Sequence, residues 1–193
     1  MSLQEFTPLI QTTVTDSIQV KQSFFDTHLD AVETCARKMA DTLTAGGKLL
    51  LFGNGGSAAD CQHIAAEFIN RFAMERPPLP AIALTCDTSV LTSIGNDYSF
   101  NEIFLKQIQA LGRPGDLAIA ISTSGNSPNV IRAAEEASKM GLFVVGFSGP
   151  AGRLQQLSDI PFCVQSPVTA RIQETHILLA HILCDLTERI LFA

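Results

Sequence analysis

The stretch LLLFGNGGSAADCQHIAAEF, residues 49–68, predicts a buried strand that runs through a glycine-rich turn into a helix. Its first part is a continuous apolar run of strand length, which is typical of a parallel sheet covered on both faces. The turn ends where the helix begins, so the free N–H groups of the first helical turn would attract an anion. On the helix, His63 and Glu67 are four residues apart and share one face. The stretch therefore combines an anion-binding turn with two groups able to bind a metal or move a proton.

The same alternation of strand and helix continues along the chain. Apolar segments of strand length at 48–53, 81–85, 116–122, 142–148 and 160–165 alternate with helical patterns at 58–72, 87–94, 100–112, 128–141, 152–159 and 169–192. This alternation predicts one doubly wound α/β domain over residues 1–193, with a five-stranded parallel sheet flanked by helices, as in flavodoxin. Residues 1–46 have helix-like spacing of apolar residues. We expect them to form a long N-terminal helical arm, broken near Asp26–Thr27, that packs on a neighbouring subunit.

The composition excludes several classes of function. The chain has 193 residues, 46% of them hydrophobic and only 17% charged, which favours surface covered by other subunits. Its net charge of −6 argues against direct binding of nucleic acid, which needs clustered lysine and arginine. No apolar run approaches the roughly 18 residues of a membrane span, and the N-terminal segment lacks the features of a signal peptide. The five cysteines lack CxxC spacing. We therefore expect a cytoplasmic protein with reduced cysteines and no membrane partner.

Two loops lie where ligands bind in such sheets, beyond the carboxyl ends of the strands. The first, GNGGSAAD at 53–60, has glycines that permit a close approach of the backbone to a ligand. The second, STSGNSPN at 122–129, carries four hydroxyl groups, from Ser122, Thr123, Ser124 and Ser127. Hydroxyls and backbone N–H groups can hold a phosphate without lysine. Either loop alone is compatible with an ordinary turn and helix cap, but together they favour a phosphorylated small molecule as ligand.

A dinucleotide site is the main competing interpretation of the first loop. Residues 53–58 match the G-x-G-x-x-A fingerprint, which expects an acidic residue about twenty positions further on. Asp87 follows the second predicted strand, but it lies much further along the chain than that. No Gly-Lys-Ser/Thr follows the glycines either, so the loop is not a P-loop. We therefore disfavour both nucleotide-binding interpretations.

The last helix supplies further candidate ligands, namely Gln173, His176 and His181. The default role of a histidine in so apolar a helix is a hydrogen-bonded core residue, and His63 and Glu67 could likewise be an ordinary hydrogen-bonded pair. Gln173 and His181 are separated by about 12 Å along the helix and about 80° around it. A joint site with His63 and Glu67 would need the two helices face to face. Two imidazoles, a carboxylate and an amide would suit zinc or a similar divalent ion.

Four segments, FGNGGSAAD, GNDYSFNEIF, ISTSGNSPNVI and RIQETHILLAHIL, together resemble the sugar isomerase (SIS) domain family and, within it, the phosphoheptose isomerases. The resemblance implies isomerisation of sedoheptulose 7-phosphate for lipopolysaccharide heptose biosynthesis, a homotetramer with sites at subunit contacts, and zinc. It implies metal ligands at His63, Glu67, Gln173 and His181. The substrate contacts that it implies, together with the neighbouring Ser57, are Asn54, Gly55, Gly56, Ser57, Glu67, Asn96, Asp97, Ser122, Thr123, Ser124, Ser127 and Gln173.

An enediolate route needs a base and an acid, and our hypothesis assigns these roles to Glu67 and His181. A non-enzymatic alternative comes from DiaA, an adaptor of the same family that binds the replication initiator DnaA. The segments INRFAMERPPLPAIAL and LCDLTERILF resemble DiaA. DiaA lacks counterparts of Glu67 and His181, however, so their presence favours the enzyme. One departure from the enzymes is Ala170, where some phosphoheptose isomerases have aspartate, which leaves open whether a second carboxylate assists.

Overall fold

The computed structural model describes residues 6–193, and its strands form one parallel sheet. The strands are β1 (Leu49–Gly53), β2 (Ala81–Ala83), β3 (Leu117–Ser122), β4 (Phe143–Ser148) and β5 (Ile160–Cys163). They lie in the order β2-β1-β3-β4-β5, and all neighbouring pairs are parallel. The chain therefore winds outward in opposite directions from the β1–β3 pair, which makes the carboxyl ends of these two strands the expected ligand-binding point. The predicted doubly wound five-stranded sheet is confirmed.

Helices cover both faces of the sheet. They are α1 (Thr7–Thr44), α2 (Gly56–Ile69), α3 (Thr88–Asp97), α4 (Leu105–Leu111), α5 (Pro128–Lys139), α6 (Leu154–Leu157) and α7 (Thr169–Phe192), and a 3-10 turn lies at Phe100–Glu102. Because successive strand residues point to opposite faces, each strand serves two cores. Leu49 and Leu51 of β1 pack towards α1, α2 and α7, whereas Leu50 and Phe52 pack towards α4 and α5. The two buried faces explain why the strands are continuous apolar runs.

The first helix differs from its prediction. The expected break near Asp26–Thr27 is wrong, because α1 is continuous from Thr7 to Thr44. The hydroxyl of Thr27 donates to the carbonyls of Ser23 and Phe24 in the preceding turn, so the polar pair is accommodated inside the helix. The C-terminal half of α1 buries a stripe against α7 that includes Val32.

The N-terminal half of α1 makes few contacts in the protomer. Most of residues 7–23 are exposed, and among them are the large apolar side chains of Leu9, Ile10, Val14 and Ile18. Residues 1–5 of the predicted arm lie outside the described residues. Within residues 6–193, none of the helices is both long and apolar enough to cross a membrane.

Candidate active site

The glycine loop at the end of β1 leads directly into α2, two residues earlier than the sequence pattern indicates. Gly55 has a positive φ of 57° and stands at the N-cap, where no side chain accepts a hydrogen bond from the helix. Gly56 begins the helix, and a Cβ added there would lie only 2.6 Å from Nε2 of Gln173 on α7. Gly55 therefore provides the turn, whereas Gly56 allows α7 to approach. Ser57 differs from both because its side chain is buried beneath the loop, next to Gly53.

The second predicted loop brings its hydroxyls together at the end of β3. The Oγ atom of Ser122 lies 2.9 Å from that of Ser127 and 3.3 Å from that of Ser124. Gly125 has a positive φ of 65°, and a Cβ added there would lie 2.5 Å from the carbonyl oxygen of Ala151. The loop is thus pinned in a shape that only glycine permits.

A cavity of about 280 Å³ lies beside this loop. It is lined by Thr123, Ser124, Ser166 and Thr169 together with four apolar residues. Thr169 is the first residue of α7, so hydroxyl-bearing residues of the loop and of α7 line one concavity. A cavity of about 600 Å³ lies at the opposite edge of the sheet, but the Lys48 and Asp116 side chains that line it already pair with each other at 2.6 Å.

The two loops are joined by a pair of side-chain amides. Asn54 of the glycine loop donates to Oδ1 of Asn129, and Asn129 donates to Oδ1 of Asn54, each at 2.9 Å. Asn129 is the second residue of α5 and is buried. Sequence reasoning missed it because its partner is 75 positions away along the chain.

Three of the four predicted metal-binding side chains, those of His63, Glu67 and His181, meet at the interface of α2 and α7. Nε2 of His63 lies 3.0 Å from Oε1 of Glu67 and 3.5 Å from Nε2 of His181. The two imidazole rings meet edge to face, with centroids 5.0 Å apart, and the ring of Phe72 covers His181 from another side at 5.5 Å. The two helices thus meet face to face within one protomer, which is the condition that a joint site of these residues requires.

These spacings resemble those of ligands around one ion. Donor atoms bound to a tetrahedral zinc lie about 3.3 Å from one another, given zinc–ligand bonds of about 2.0–2.1 Å. Within residues 6–193, however, no three histidine, cysteine or acidic side chains already surround a common point. The amide of Gln173 lies beside Gly56, at the beginning of α2, and within residues 6–193 it forms no hydrogen bond with His63 or Glu67. The donor chemistry therefore fits a divalent ion, whereas the shared position of all four side chains around it stays a prediction.

Asp60 is an acidic neighbour that sequence reasoning missed. It lies one turn before His63 on the same face of α2 and is half-buried. Burial raises the pKa of the Asp60 carboxyl, while the nearby His63 and His181 lower it in part. The spacing of Asp60, His63 and Glu67 at i, i+3 and i+7 was a signal that could have identified it. One face of α2 thus presents two carboxyl groups and an imidazole.

Asn96 and Asp97 lie at the end of α3, and both are exposed. The side-chain amide of Asn96 donates to Asp97 at 2.9 Å. In the described part of the protomer, neither side chain forms a hydrogen bond with the two loops. Their assignment to the substrate site stays a prediction.

The C-terminal end of α2 is held by a buried ion pair. Nε of Arg76 donates to Glu188 of α7 at 2.9 Å, and both side chains are almost fully buried. The Glu188 carboxylate also accepts the backbone N–H groups of Phe72, Ala73 and Met74. The guanidinium group of Arg76 in turn donates to the backbone carbonyls of Glu67, Phe68, Asn70 and Pro77.

These hydrogen bonds satisfy carbonyl groups that the end of a helix otherwise leaves without partners. They also fix the backbone of Glu67 relative to α7, which carries His181. No sequence pattern indicates this pair, because Arg76 and Glu188 are 112 positions apart.

His176 has the core role that was the default for a histidine on α7. It is buried, and its Nε2 donates to the carbonyl of Ser148 at 3.1 Å. Burial lowers the pKa of the imidazole to about 4, so His176 is neutral at pH 7. Its Nδ1 has no partner in the described residues. His176 therefore stands apart from the group formed by His63, Glu67 and His181.

Comparison with known proteins identifies the family that the chain resembles. The family model of the SIS domain matches residues 14–149. A phosphoheptose isomerase of Nitratidesulfovibrio vulgaris is 56% identical over 92% of this chain and 86% of its own length. Another, from a Roseiflexus species, is 51% identical over 97% of this chain and 95% of its own.

Solved structures give the same assignment. The phosphoheptose isomerase GmhA of Neisseria gonorrhoeae superimposes with a TM-score of 0.89 at 43% identity, covering 97% of this chain and all of that one. A phosphoheptose isomerase from Francisella tularensis gives a TM-score of 0.91 at 40% identity, covering 98% of this chain and all of that one. The matched domain, the high identity over most of the chain and the shared fold together show that this chain belongs to the SIS domain family.

Proposed function

We propose that this chain is a phosphoheptose isomerase, which converts sedoheptulose 7-phosphate into D-glycero-D-manno-heptose 7-phosphate. The observation that carries the proposal is the meeting of Glu67, His63 and His181 on two helices that flank the anion-binding loops. The names of its relatives, at 50–56% identity over most of the chain, support the same reaction.

The two loops suit the two ends of the substrate. The hydroxyls of Ser122, Thr123, Ser124 and Ser127 would hold the phosphate, as their convergence at the end of β3 suggests. Asn54, the backbone of residues 55–57, and Asn96 and Asp97 would hold sugar hydroxyls, with Gln173 and Glu67 towards the carbonyl end. The open N-terminus of α2 favours an anionic ligand at the same edge.

The reaction moves hydrogen between two neighbouring carbons. In the forward direction, Glu67 removes a proton from C1 of the ketose, and His181 gives a proton to the oxygen on C2, which leaves an enediol. His181 then takes the proton from the oxygen on C1 while Glu67 returns its proton to C2, which yields the aldose. Positioned acid–base groups of this kind typically contribute a factor of about 10² to 10⁴ in rate.

The donor set supports a role for a divalent ion, with zinc as our proposal. His63, Glu67, Gln173 and His181 would hold it, and the 3.0 and 3.5 Å spacings among the first, second and last of these are compatible with shared coordination. When bound, such an ion supplies polarisation of the sugar carbonyl.

We also propose a homotetramer with sites at subunit contacts. The exposed apolar residues on the N-terminal half of α1 and the exposed Asn96 and Asp97 on α3 support this assembly. A cytoplasmic location is proposed because all five cysteines are free, as expected in a reducing compartment. The DnaA-binding adaptor, our earlier alternative, gains no support from the relatives described above.

The test is turnover of sedoheptulose 7-phosphate by the purified protein loaded with zinc, before and after chelation. We expect aldose formation, loss of that activity with a chelator, and its recovery when zinc is restored. No turnover from a folded oligomer, with zinc or with other divalent ions, would contradict the proposal and return the adaptor to consideration. Activity unchanged by complete removal of metal would contradict only the role of the ion.

A further inference from the structure

The two asparagines that join the loops form a reciprocal pair of hydrogen bonds. Each amide uses one N–H group and one oxygen on the other, and both distances are 2.9 Å. Asn129 is 2% exposed, while Asn54 is only half-buried and belongs to the loop that we assign to the sugar. The buried member therefore lies behind the member that faces the ligand.

A backbone contact fixes which way the pair is turned. The N–H group of Val130 donates to Oδ1 of Asn129 at 2.9 Å, so this atom must be the oxygen rather than the nitrogen. Oδ1 of Asn129 consequently accepts from Nδ2 of Asn54, which leaves Nδ2 of Asn129 to donate to Oδ1 of Asn54. Helix α5 thus determines the orientation of the Asn54 amide, which belongs to the glycine loop.

The pair also sets the separation of the loops. Asn54 follows Gly53, the last residue of β1. Asn129 is the last residue of the second predicted loop, residues 122–129, which begins at Ser122 in β3 and which we call the hydroxyl loop. The two strands are adjacent, with Gly53 opposite Ile121. Beyond the strands, the two hydrogen bonds of the amide pair are the only side-chain hydrogen bonds between residues 54–57 and 122–129 in the described structure.

We propose that Asn129 is a positioning residue that orients Asn54 and holds the glycine loop at the correct distance from the hydroxyl loop. This inference rests on the proposed function, since it needs a sugar phosphate that contacts both loops. An amide has two N–H groups and an oxygen with two lone pairs, so Asn54 keeps one N–H and one lone pair for the substrate. Asn129 acts through Asn54 and does not itself touch the ligand.

A double-mutant cycle tests the inference, using Asn129→Ala, Asn54→Ala and the double variant. We expect Asn129→Ala to raise KM for sedoheptulose 7-phosphate about tenfold, as the loss of an oriented hydrogen bond would. We expect kcat to change by less than about threefold, because Glu67 and His181 are untouched. In the Asn54→Ala background, removal of the Asn129 amide should change KM by less than about twofold.

A second buried amide provides the matched control. Gln107 is 8% exposed and donates to the carbonyls of Leu84 and Ile103, in the core behind α4. Gln107→Ala should lower the melting temperature to a similar degree while leaving KM unchanged. If Asn129→Ala does not fold, Asn129→Ser serves in the same cycle, since it retains a small polar group near the N-terminus of α5.

Two results would overturn the inference: an unchanged KM in the folded Asn129 variant, or the same fold-change in both backgrounds. Chemical denaturation of the same four proteins measures the coupling of the two asparagines in the free energy of unfolding. If the wild-type protein fails to turn over the sugar phosphate, the proposed function fails. The coupling in stability still reveals whether the two asparagines interact, so the two failures are distinguishable.

Discussion

The two ends of α2 differ in whether their backbone groups have partners inside the protein. At the N-terminal end, Gly55 and Gly56 are exposed and no side chain caps the helix. At the C-terminal end, the buried Arg76 donates to carbonyl groups of the last turn and beyond, and Glu188 fixes Arg76 to α7. One end leaves its backbone groups available, whereas the other has partners for them inside the protein.

This difference separates binding from chemistry along one helix. Free N–H groups at the open end can contact an anionic ligand, and they need no long side chain to do so. His63 and Glu67 lie in the C-terminal half of α2, which we call the clamped half. There the Arg76–Glu188 pair sets their position relative to His181. Glu188 lies seven residues after His181, or about 10 Å along α7. Rigid support is thus located close to the groups that move protons.

The largest effect on stability is expected from breaking the clamped end. Arg76→Ala leaves Glu188 buried without its charged partner, which typically costs about 3–5 kcal/mol. Chemical denaturation measures the loss as a change in the free energy of unfolding. The matched control is Arg37→Ala, because Arg37 pairs with Glu33 at 2.7 Å on an exposed face of α1. Loss of such a surface pair should cost less than about 1 kcal/mol. Equal costs for the two variants would refute the clamp.

The stability of the protein is expected to depend on pH through His176, the buried histidine of α7. Burial lowers the pKa of His176 to about 4, against 6.5 for an ordinary histidine. As the pH falls from 6.5 towards 4, His176 binds a proton in the unfolded chain but not in the folded protein. Stability is therefore lost in that pH range. The loss between pH 7 and 4.5 is about 2–3 kcal/mol.

The variant His176→Gln should remove this contribution. Its Nε2 group can still donate to Ser148, but glutamine has no proton to gain in that range. Urea unfolding of both proteins at pH 7 and 4.5 measures the difference. The same acid sensitivity in wild type and variant would mean that other groups cause it.

The smallest effect on stability is expected at the open end. Gly56→Ala places a methyl group 2.6 Å from Nε2 of Gln173, so this flexible side chain must move. We expect a change of less than about 1 kcal/mol in stability but about a tenfold loss in kcat/KM, because Gln173 is a proposed ligand. The control is Gly95→Ala in α3, where an added Cβ meets no atom within 4 Å. Loss of activity in the control as well would show that the effect is not specific to α7.

The sheet could be predicted from the sequence because it depends on local patterns. Each of its five strands is an apolar run, although β2 and β5 each end two residues earlier than predicted, at Ala83 and Cys163. The predicted helix break near Asp26–Thr27 was wrong, because the hydroxyl of a threonine can donate a hydrogen bond to a carbonyl of the preceding helical turn.

The site was only partly predictable, since much of its geometry depends on contacts between distant segments. His63 and Glu67 could be identified from their four-residue spacing, and His181 joins them across the helix interface. The supporting pairs Asn54–Asn129 and Arg76–Glu188 could not be identified, because their partners are 75 and 112 positions apart. No single-sequence pattern marks a polar residue whose partner comes from so far along the chain.

The most direct test of the account compares Glu67→Gln with wild type in the turnover of sedoheptulose 7-phosphate. Glu33→Gln, on an exposed face of α1, is the matched control. We predict that Glu67→Gln lowers kcat by at least about 100-fold while its fold and its affinity for inorganic phosphate are retained, as expected for loss of a general base. The control should keep wild-type activity. Turnover by Glu67→Gln within a few-fold of wild type would contradict the assignment of proton transfer to the clamped half of α2.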